Sequence, residues 1–308
     1  MSTPSDGIVG VILMTYGSAT TAERVRPYLE RIYKDKASDT LIADFENRYR
    51  LIGHSPLIEM TEHQALDLQT ELGNGFVVRA GMRHSAPSID EAVASCKASG
   101  ATSLVGIILS PQFSSFIMEG YKIAFATAAQ NQGIAHAVVV DPWPAEEHFI
   151  ELLATRTQQA LDTIKKETGT DAPVIFTTHS MPKRVVENDP SYMEQLSATI
   201  DAVRRRLDPT IKWHAAYQSA GHSPGEWLKP DLMDILAELR DKKTASVLIV
   251  PIQFLSDHLE VLYDLDIAAR KQCEMLGINY HRIQLPNRDP LFIQSLANTA
   301  RHSKPLAE

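Results

Sequence analysis

Eight short apolar runs alternate with longer segments of helical periodicity along the chain, and this alternation constrains the fold more than any other feature. The predicted strands are 8–14, 76–80, 103–109, 137–141, 174–178, 213–217, 246–251 and 280–284. The predicted helices are 20–34, 40–50, 58–72, 88–99, 119–132, 146–168, 188–207, 229–241, 258–275 and 289–302. Continuous apolar strands separated by helices predict parallel sheets that are covered on both faces, an α/β fold.

The predicted strands divide evenly around residue 145. With 308 residues, the chain is about twice the size of a common domain. We therefore predict two similar doubly wound halves, 1–145 and 146–308, each with a four-stranded parallel sheet flanked by helices. The last helix is expected to pack back on the first domain.

The composition is that of an ordinary globular protein, with 44% apolar and 22% charged residues. The net charge of −8 argues against nucleic-acid binding, which needs a basic face. No apolar stretch approaches the roughly 18–20 residues needed to span a bilayer, and the N-terminus lacks the basic region of a signal peptide. Cys96 and Cys273 are most simply buried thiols in a reducing compartment. We expect a soluble cytoplasmic protein without stable membrane insertion.

The residues that follow the predicted strands matter most, because ligands bind beyond the C-terminal ends of strands in open α/β sheets. These stretches are rich in His, Ser, Tyr and aromatic residues: TYGS, GMRHS, SPQFSSF, DPWP, THSMP, QSAGHSPGEW, QFLSDHLE and LPNRDP. Such a set is typical of a site for a large flat ligand. Neither GxGxxG nor a Walker A pattern occurs, so nucleotide binding loses most of its support.

Imidazole and carboxylate groups follow two strands of the second half. His179 follows the predicted strand 174–178, and His258 and Glu260 lie at the start of the predicted helix 258–275. Glu260 and Asp264 are four residues apart and share one face of a helix. If these groups face one crevice, they form a set suited to a divalent transition metal that passes through. No HExxH motif or dense Cys/His cluster indicates a tightly held structural metal.

A phenol and a group of basic residues belong to the first half. Tyr16 follows the first strand and is either a rim residue or a group facing the ligand. Basic and hydroxyl residues that suit the carboxylates of an anionic substrate are Arg31, Lys34, Arg48, Arg50, Ser55, Ser114, Ser115 and Tyr121.

Five motifs of the chain together resemble the ferrochelatase family. They are MTYGS, YRLIGHSPL, THSMP, YQSAGHSPGEWLKPDL and SDHLEVLYDLD. The likeness runs from about residue 8 to 300, and HSMP and SDHLE at this separation are its most specific part. The chain is most similar to the water-soluble Gram-positive type that acts on coproporphyrin III.

This resemblance implies two Rossmann-like domains with the active cleft between them, the porphyrin-binding residues in 1–145 and the metal and catalytic residues in 146–308. It implies insertion of Fe²⁺ into a free-base porphyrin with release of two protons. By position, His179 and Glu260 match the catalytic and metal-binding pair, Asp264 is a further candidate ligand, and Tyr16 matches a tyrosine axial to the product iron. The expected substrate contacts are Tyr16, Tyr33, Arg48, Tyr49, Ser55, Ser115 and Tyr121.

The chemistry of the residues agrees with these implied roles. A cleft that holds the macrocycle bent exposes its nitrogens and uses binding energy to approach the transition state. A neutral imidazole is a suitable proton acceptor and Fe²⁺ ligand.

The chain departs from the family pattern at three places. Tyr33 and Lys34 stand where close relatives have arginines, and Ala268 stands where the acidic row of several relatives continues. The loop of GHSPL is a residue shorter than in some relatives, which affects the placement of Ser55.

Coproporphyrin III, with four propionates, is the expected substrate, because FSSFIMEGYK carries only a modest apolar stretch in place of a membrane-associating lip. Three alternatives remain: a protoporphyrin IX ferrochelatase, a cobalt or iron chelatase for a sirohydrochlorin-type ring, and a non-catalytic haem or porphyrin carrier.

The expected partners are small molecules, with Fe²⁺ and the porphyrin as substrates. No permanently bound cofactor is expected, and two cysteines are too few for a [2Fe–2S] cluster. We expect a monomer in transient contact with haem-pathway enzymes.

Overall fold

A computed structural model of the chain contains two four-stranded parallel sheets flanked by helices, which confirms the predicted fold class. It describes residues 7–34, 36–112, 114–221 and 225–303, so positions 222–224 of the motif quoted above lie outside the described residues. All eight predicted strands are present: β1 Ile8–Thr15, β2 Phe76–Met82, β3 Ala101–Ile108, β4 His136–Val139, β5 Val174–His179, β6 Trp213–Gln218, β7 Ser246–Pro251 and β8 Asn279–Arg282.

The two sheets have the same topology. The strand order is β2-β1-β3-β4 in the first sheet and β6-β5-β7-β8 in the second, and every pairing is parallel. The order therefore reverses between β1 and β3 and again between β5 and β7. In doubly wound sheets, ligands bind at such a switch point, beyond the C-terminal ends of the strands.

The chain divides into two compact units between Trp143 and Pro144. The first unit consists of the described residues 7–34, 36–111, 115–143 and 287–303. Its helices are α1 Val25–Tyr33, α2 Asp39–Ile52, α3 Leu57–Leu72, α4 Ile89–Ala98, α5 Ser115–Asn131 and α12 Pro290–His302, with a 3₁₀ turn at Ala22–Arg24. Helix α12 packs against α3, and Arg288 forms a bidentate ion pair with Asp67 (2.7 and 2.8 Å).

The second unit contains the described residues 112, 114, 144–221 and 225–286. Its helices are α6 Glu147–Thr168, α7 Lys183–Asn188, α8 Ser191–Arg204, α9 Leu232–Asp241, α10 Leu259–Leu262 and α11 Arg270–Leu276, with a π-helix at Asp264–Ala269. Helix α7 is absent from the predicted set.

The segment predicted as one helix, 258–275, is divided into α10, the π-helix and α11. Its core-facing side chains recur every four residues and are fully buried: Val261, Leu265, Ala269 and Cys273. In an α-helix of 3.6 residues per turn, a four-residue repeat drifts by about 40° each time. The wider turn, with the amide of Ala268 bonded to the carbonyl of Tyr263 five residues earlier (2.9 Å), counteracts this drift.

No helix among the described residues is long and apolar enough to cross a membrane.

Candidate active site

His179 is the last residue of β5, where the central strand of the second sheet ends at its switch point. Its backbone amide donates to Oε1 of Gln253 (3.0 Å), and the hydroxyl of Tyr192 donates to the same oxygen (3.3 Å). Nδ1 of the ring bonds to the carbonyl of Ser180. Because a carbonyl oxygen only accepts, Nδ1 carries a hydrogen and Nε2 is the atom offered to the site.

The carboxylate of Glu260 lies between two imidazoles. Oε2 of Glu260 is 3.5 Å from Nε2 of His179 and 3.8 Å from Nε2 of His258. Nδ1 of His258 donates to the carbonyl of Ser256 (2.8 Å), so both rings are oriented by backbone carbonyls and direct Nε2 to one carboxylate. The side chains are partly accessible, with 29% of His179 and 36% of Glu260 exposed. A ligand can therefore reach the pair.

The protonation of these groups follows from their proximity. Burial alone would lower the pKa of His179, but the charge of Glu260 and the hydrogen bond to it outweigh burial and raise that pKa to about 9. The pKa of His258 is also raised, since the attraction of the Glu260 carboxylate, 3.8 Å from Nε2, outweighs burial. Burial would raise the pKa of Glu260, yet the two imidazoles hold it below the usual range. The neutral imidazole expected from the sequence is thus an imidazolium at pH 7 in the metal-free protein.

Asp264 lies beside this group, as the four-residue spacing from Glu260 predicts. Its Oδ2 accepts from the hydroxyl of Ser219, and its charge contributes to raising the pKa of His179. Gln218, the last residue of β6, donates from Nε2 to the carbonyl of Glu260 (3.1 Å). In the described part of the chain, no three His, Cys, Asp or Glu side chains are spaced to hold one metal ion together.

Tyr16 follows β1 at the switch point of the first sheet, and 40% of it is exposed. Its ring lies against that of His84, with the centroids 4.5 Å apart. Burial, together with the charges of Arg83 and Arg31, lowers the pKa of His84 to about 4, so the ring is neutral at pH 7. The ring of Tyr16 therefore lies against a neutral imidazole, which is itself close to two cations.

Three predicted substrate contacts are buried in the first unit. The hydroxyl of Tyr49 is hydrogen-bonded to that of Ser18 (2.9 Å) in the turn that follows Tyr16. Ser55 is buried and its amide donates to the carbonyl of Thr20 (2.9 Å). Tyr121 is buried beneath the guanidinium of Arg83, and burial raises the pKa of its phenol. Tyr49 and Ser55 thus stabilise the backbone next to Tyr16, and their contact with a ligand stays a prediction.

The other predicted contacts lie at the surface of the first unit. Tyr33 is exposed at the end of α1, and Ser115 is the exposed first residue of α5. Nε of Arg48 is 2.9 Å from a carboxylate oxygen of Asp44.

Sequence reasoning did not assign roles to Arg83 and His84 beside Tyr16, nor to Gln218, Ser219 and Gln253 around the catalytic pair. Their position after a strand is the sequence feature that could have identified them. All five follow or end a strand, in the stretches where ligands of open α/β sheets bind. Position at a strand end therefore indicated the neighbourhood but not the individual roles.

Two cavities of about 270 and 240 Å³ lie between α8 and strands β5 and β6 of the second unit. Both are lined by Phe176, Asp201 and Trp213, and neither is lined by His179 or Glu260.

The two-sheet fold is that of the chelatases. The structure is similar to SirB from Bacillus subtilis with Fe³⁺ (TM-score 0.60, 11% identity, 96% of this chain and 95% of that chain). It is also similar to CbiX, described as the terminal enzyme for biosynthesis of siroheme in denitrifying bacteria (TM-score 0.54, 13% identity, 97% and 100%). The chain therefore has the two-sheet fold of these chelatases, with the imidazole–carboxylate group at a strand end of its second sheet.

Comparisons of the sequence identify the family within this fold. The ferrochelatase family model matches residues 8–304. The coproporphyrin III ferrochelatases of Geobacillus thermodenitrificans (strain NG80-2) and Halalkalibacterium halodurans are 33% and 34% identical, over 94% and 97% of this chain and 94% and 98% of theirs. A protein of Deinococcus radiodurans named ferrochelatase is 34% identical over 94% of both chains. The chain belongs to the ferrochelatase family.

Proposed function

We propose that this chain inserts Fe²⁺ into coproporphyrin III to give Fe-coproporphyrin III in haem biosynthesis. The observation that carries the proposal is the Glu260 carboxylate, 3.5 and 3.8 Å from two Nε2 atoms at the switch point of the second sheet. Imidazole nitrogen and carboxylate oxygen suit a divalent first-row metal. The names of the similar Geobacillus and Halalkalibacterium proteins support coproporphyrin III as the substrate.

The proposed reaction exchanges one divalent metal for two protons at this group. Metal ligands must be deprotonated, so Fe²⁺ competes with the proton that His179 holds in the metal-free protein. When the metal moves into the ring, two pyrrole N–H protons leave. His179, once the metal has displaced its own proton, and His258, in its neutral form, can each accept one at Nε2, and the charge of Glu260 stabilises both imidazolium ions.

The first unit supplies the proposed porphyrin-binding groups. Tyr16 offers a phenol oxygen that can lie axial to the iron of the product, and the pKa of His84 keeps its ring neutral beside it. Arg31 and Arg83 are cations close enough to His84 to lower its pKa, and guanidinium groups suit propionates. A porphyrin with four propionates can form more ion pairs with such cations than one with two, which favours coproporphyrin over protoporphyrin.

The test is anaerobic turnover with Fe²⁺, comparing coproporphyrin III with protoporphyrin IX by absorbance. We expect kcat/KM to be at least about tenfold higher for coproporphyrin, equivalent to about 1.4 kcal/mol of transition-state binding. Preference for protoporphyrin would overturn the proposed substrate while keeping the chelatase.

Two further outcomes would replace the proposed function. Turnover of sirohydrochlorin with Co²⁺, and of neither porphyrin, would make the chain a chelatase for that ring. Tight porphyrin binding without turnover of any substrate would make it a carrier.

The same proposal places the chain in the cytoplasm as a monomer that passes its product to a haem-pathway enzyme. It includes no resident cofactor. Cys96 and Cys273 are both buried and lie in different units, which does not suit a shared metal cluster.

A further inference from the structure

Arg282 lies behind the imidazole–carboxylate group, as the last residue of β8. Its guanidinium forms a bidentate ion pair with Asp266, with both N–O distances 2.7 Å. Nη2 is also 3.7 Å from Oδ1 of Asp257, and Nη1 donates to the carbonyl of Ile283 (2.9 Å). Only 13% of the Arg282 side chain is exposed. A planar fork held this way fixes the positions of both carboxylates.

Each carboxylate paired with Arg282 is on the same segment as a group of the site. Asp257 immediately precedes His258, whose backbone is extended (φ −161°, ψ −178°), so their side chains point to opposite sides. Asp266 is two residues after Asp264 in the π-helix, which also places the two on opposite sides. Arg282 thus connects two segments through Asp257 and Asp266, on the side away from the site. The opposite side of the same segments carries His258 and Asp264, with Glu260 between them in the chain.

The ion pairs of Arg282 also divide four neighbouring carboxylates into two that it neutralises and two that face other groups. Asp257 and Asp266 are neutralised by Arg282, whereas Glu260 has imidazole neighbours and Asp264 accepts from Ser219. Without the guanidinium, Asp257 and Asp266 would be partly buried anions next to a site for a cation. Repulsion between carboxylates would then move the segments apart.

We propose that Arg282 is a positioning residue for metal delivery: it fixes the segments that carry His258, Glu260 and Asp264, and thereby the imidazole–carboxylate contact that meets the incoming divalent metal. The inference rests on the proposed metal insertion. It adds a residue that does not contact the metal or the porphyrin and acts only through Asp257 and Asp266.

The test uses Arg282→Met in the full chain, with Arg288→Met as the matched control. Arg288 forms a bidentate pair with Asp67 of nearly the same geometry in the other unit. For Arg282→Met we expect the KM for Fe²⁺ to rise and kcat to fall, each about tenfold, with the Kd for porphyrin unchanged within about twofold. Co²⁺ alone, titrated by its d–d absorption, should bind about tenfold more weakly. All these quantities should stay within about twofold of wild type in Arg288→Met.

Two more variants separate positioning from folding. Arg282→Lys keeps the charge and should recover most of the Fe²⁺ KM, and Asp266→Asn should reproduce the Arg282→Met effect. The double variant should be no worse than the worse single one, because the two residues act as a pair. If Arg282→Met does not fold, the Lys and Asn variants carry the test.

The possible results separate this inference from the proposed function. A wild-type chain that inserts no metal into any porphyrin overturns the proposed function. An active wild type with a folded Arg282→Met variant that behaves like Arg288→Met overturns the inference alone. Equal losses in porphyrin and metal affinity would do so as well, since they indicate a general structural role.

Discussion

Glu260 determines the protonation of two histidines through one oxygen atom. With Nδ1 of each ring bonded to a backbone carbonyl, Nε2 is the only position at which a proton or metal can be exchanged. The carboxylate raises the pKa of both rings against the effect of burial. The metal-free site therefore holds a proton at pH 7, which is the state that the proposed proton-for-metal exchange requires.

Replacing Tyr16 by Phe should alter the product and leave the rate of insertion within about threefold of wild type. The ring contact with His84 remains, and only the oxygen proposed as the axial ligand is lost. The measurement is the absorption spectrum of the enzyme-bound iron product beside the turnover rate. An inactive Tyr16→Phe enzyme, or an unchanged iron spectrum, would contradict the assigned role.

His84 should make the first unit less stable in mild acid. Its pKa is about 4 when folded, below the ordinary 6.5, so the unfolded chain binds the proton first. Stability is complete above pH 6.5 and is lost as the pH falls from 6.5 towards 4. We expect the unfolding free energy to be about 1–2 kcal/mol lower at pH 5 than at pH 7 through this residue.

Denaturant titrations at both pH values check this prediction in His84→Gln, with the exposed His302→Gln as control. The first variant should lose much of the difference between the two pH values and the second should keep it. An identical difference in both variants would contradict the prediction.

The turn between β1 and α1 depends on one glycine. Gly17 has φ +92°, and a Cβ there would lie 2.5 Å from Oγ of Ser85, whose hydroxyl accepts from the amide of Ser18 (3.0 Å). Gly17→Ala should lower the unfolding free energy by about 2–4 kcal/mol, from strain plus the lost contact.

Gly75→Ala is the matched control, because Gly75 has φ +96° and open space where the Cβ would lie. It should cost only about 1 kcal/mol. Urea unfolding measures both variants, and equal losses would show that the contact with Ser85 has no role.

The strands were predictable because their sequences are continuous apolar runs, which are typical of parallel strands buried on both faces. Every residue of β7 is buried, and β1 is buried from its second residue, as expected of central strands covered on both faces. Strand ends then identify the site, since parallel strands bring their C-terminal ends to one edge. His179, Glu260 and Asp264 were therefore found from the sequence as a group.

Other features could not be predicted because they depend on contacts between distant residues. The π-helix arises because a four-residue apolar repeat packs on the core. The local periodicity of the sequence predicts only an ordinary α-helix there. The pKa of His179 depends on Glu260, which is 81 positions away in the chain. The pairing of Arg282 with Asp257 and Asp266 joins β8 to two other segments in the same way.

The charge of the whole molecule and that of the substrate site have opposite signs. The net charge of −8 repels an anionic porphyrin, whereas Arg31 and Arg83 are close enough to His84 to lower its pKa. At 0.1 M salt, interactions reach only about 10 Å, so the local cations should dominate. The association rate of coproporphyrin should therefore fall as salt is raised.

Stopped-flow fluorescence quenching at about 20–500 mM NaCl, the range over which screening changes most, measures that rate. Arg83→Gln should flatten the salt dependence, and Arg301→Gln on α12 should leave it unchanged. A rate that rises with salt would mean that the net charge controls the approach.

The most direct test of metal insertion by the imidazole–carboxylate pair compares wild type, His179→Ala and the control His148→Ala. His148 lies on α6, in the same unit as His179. Anaerobic Fe²⁺ insertion and porphyrin affinity are measured on the same samples. We predict that His179→Ala lowers insertion at least about 100-fold while the porphyrin Kd stays within about threefold, and that His148→Ala changes neither. Near-normal turnover in His179→Ala would contradict the account.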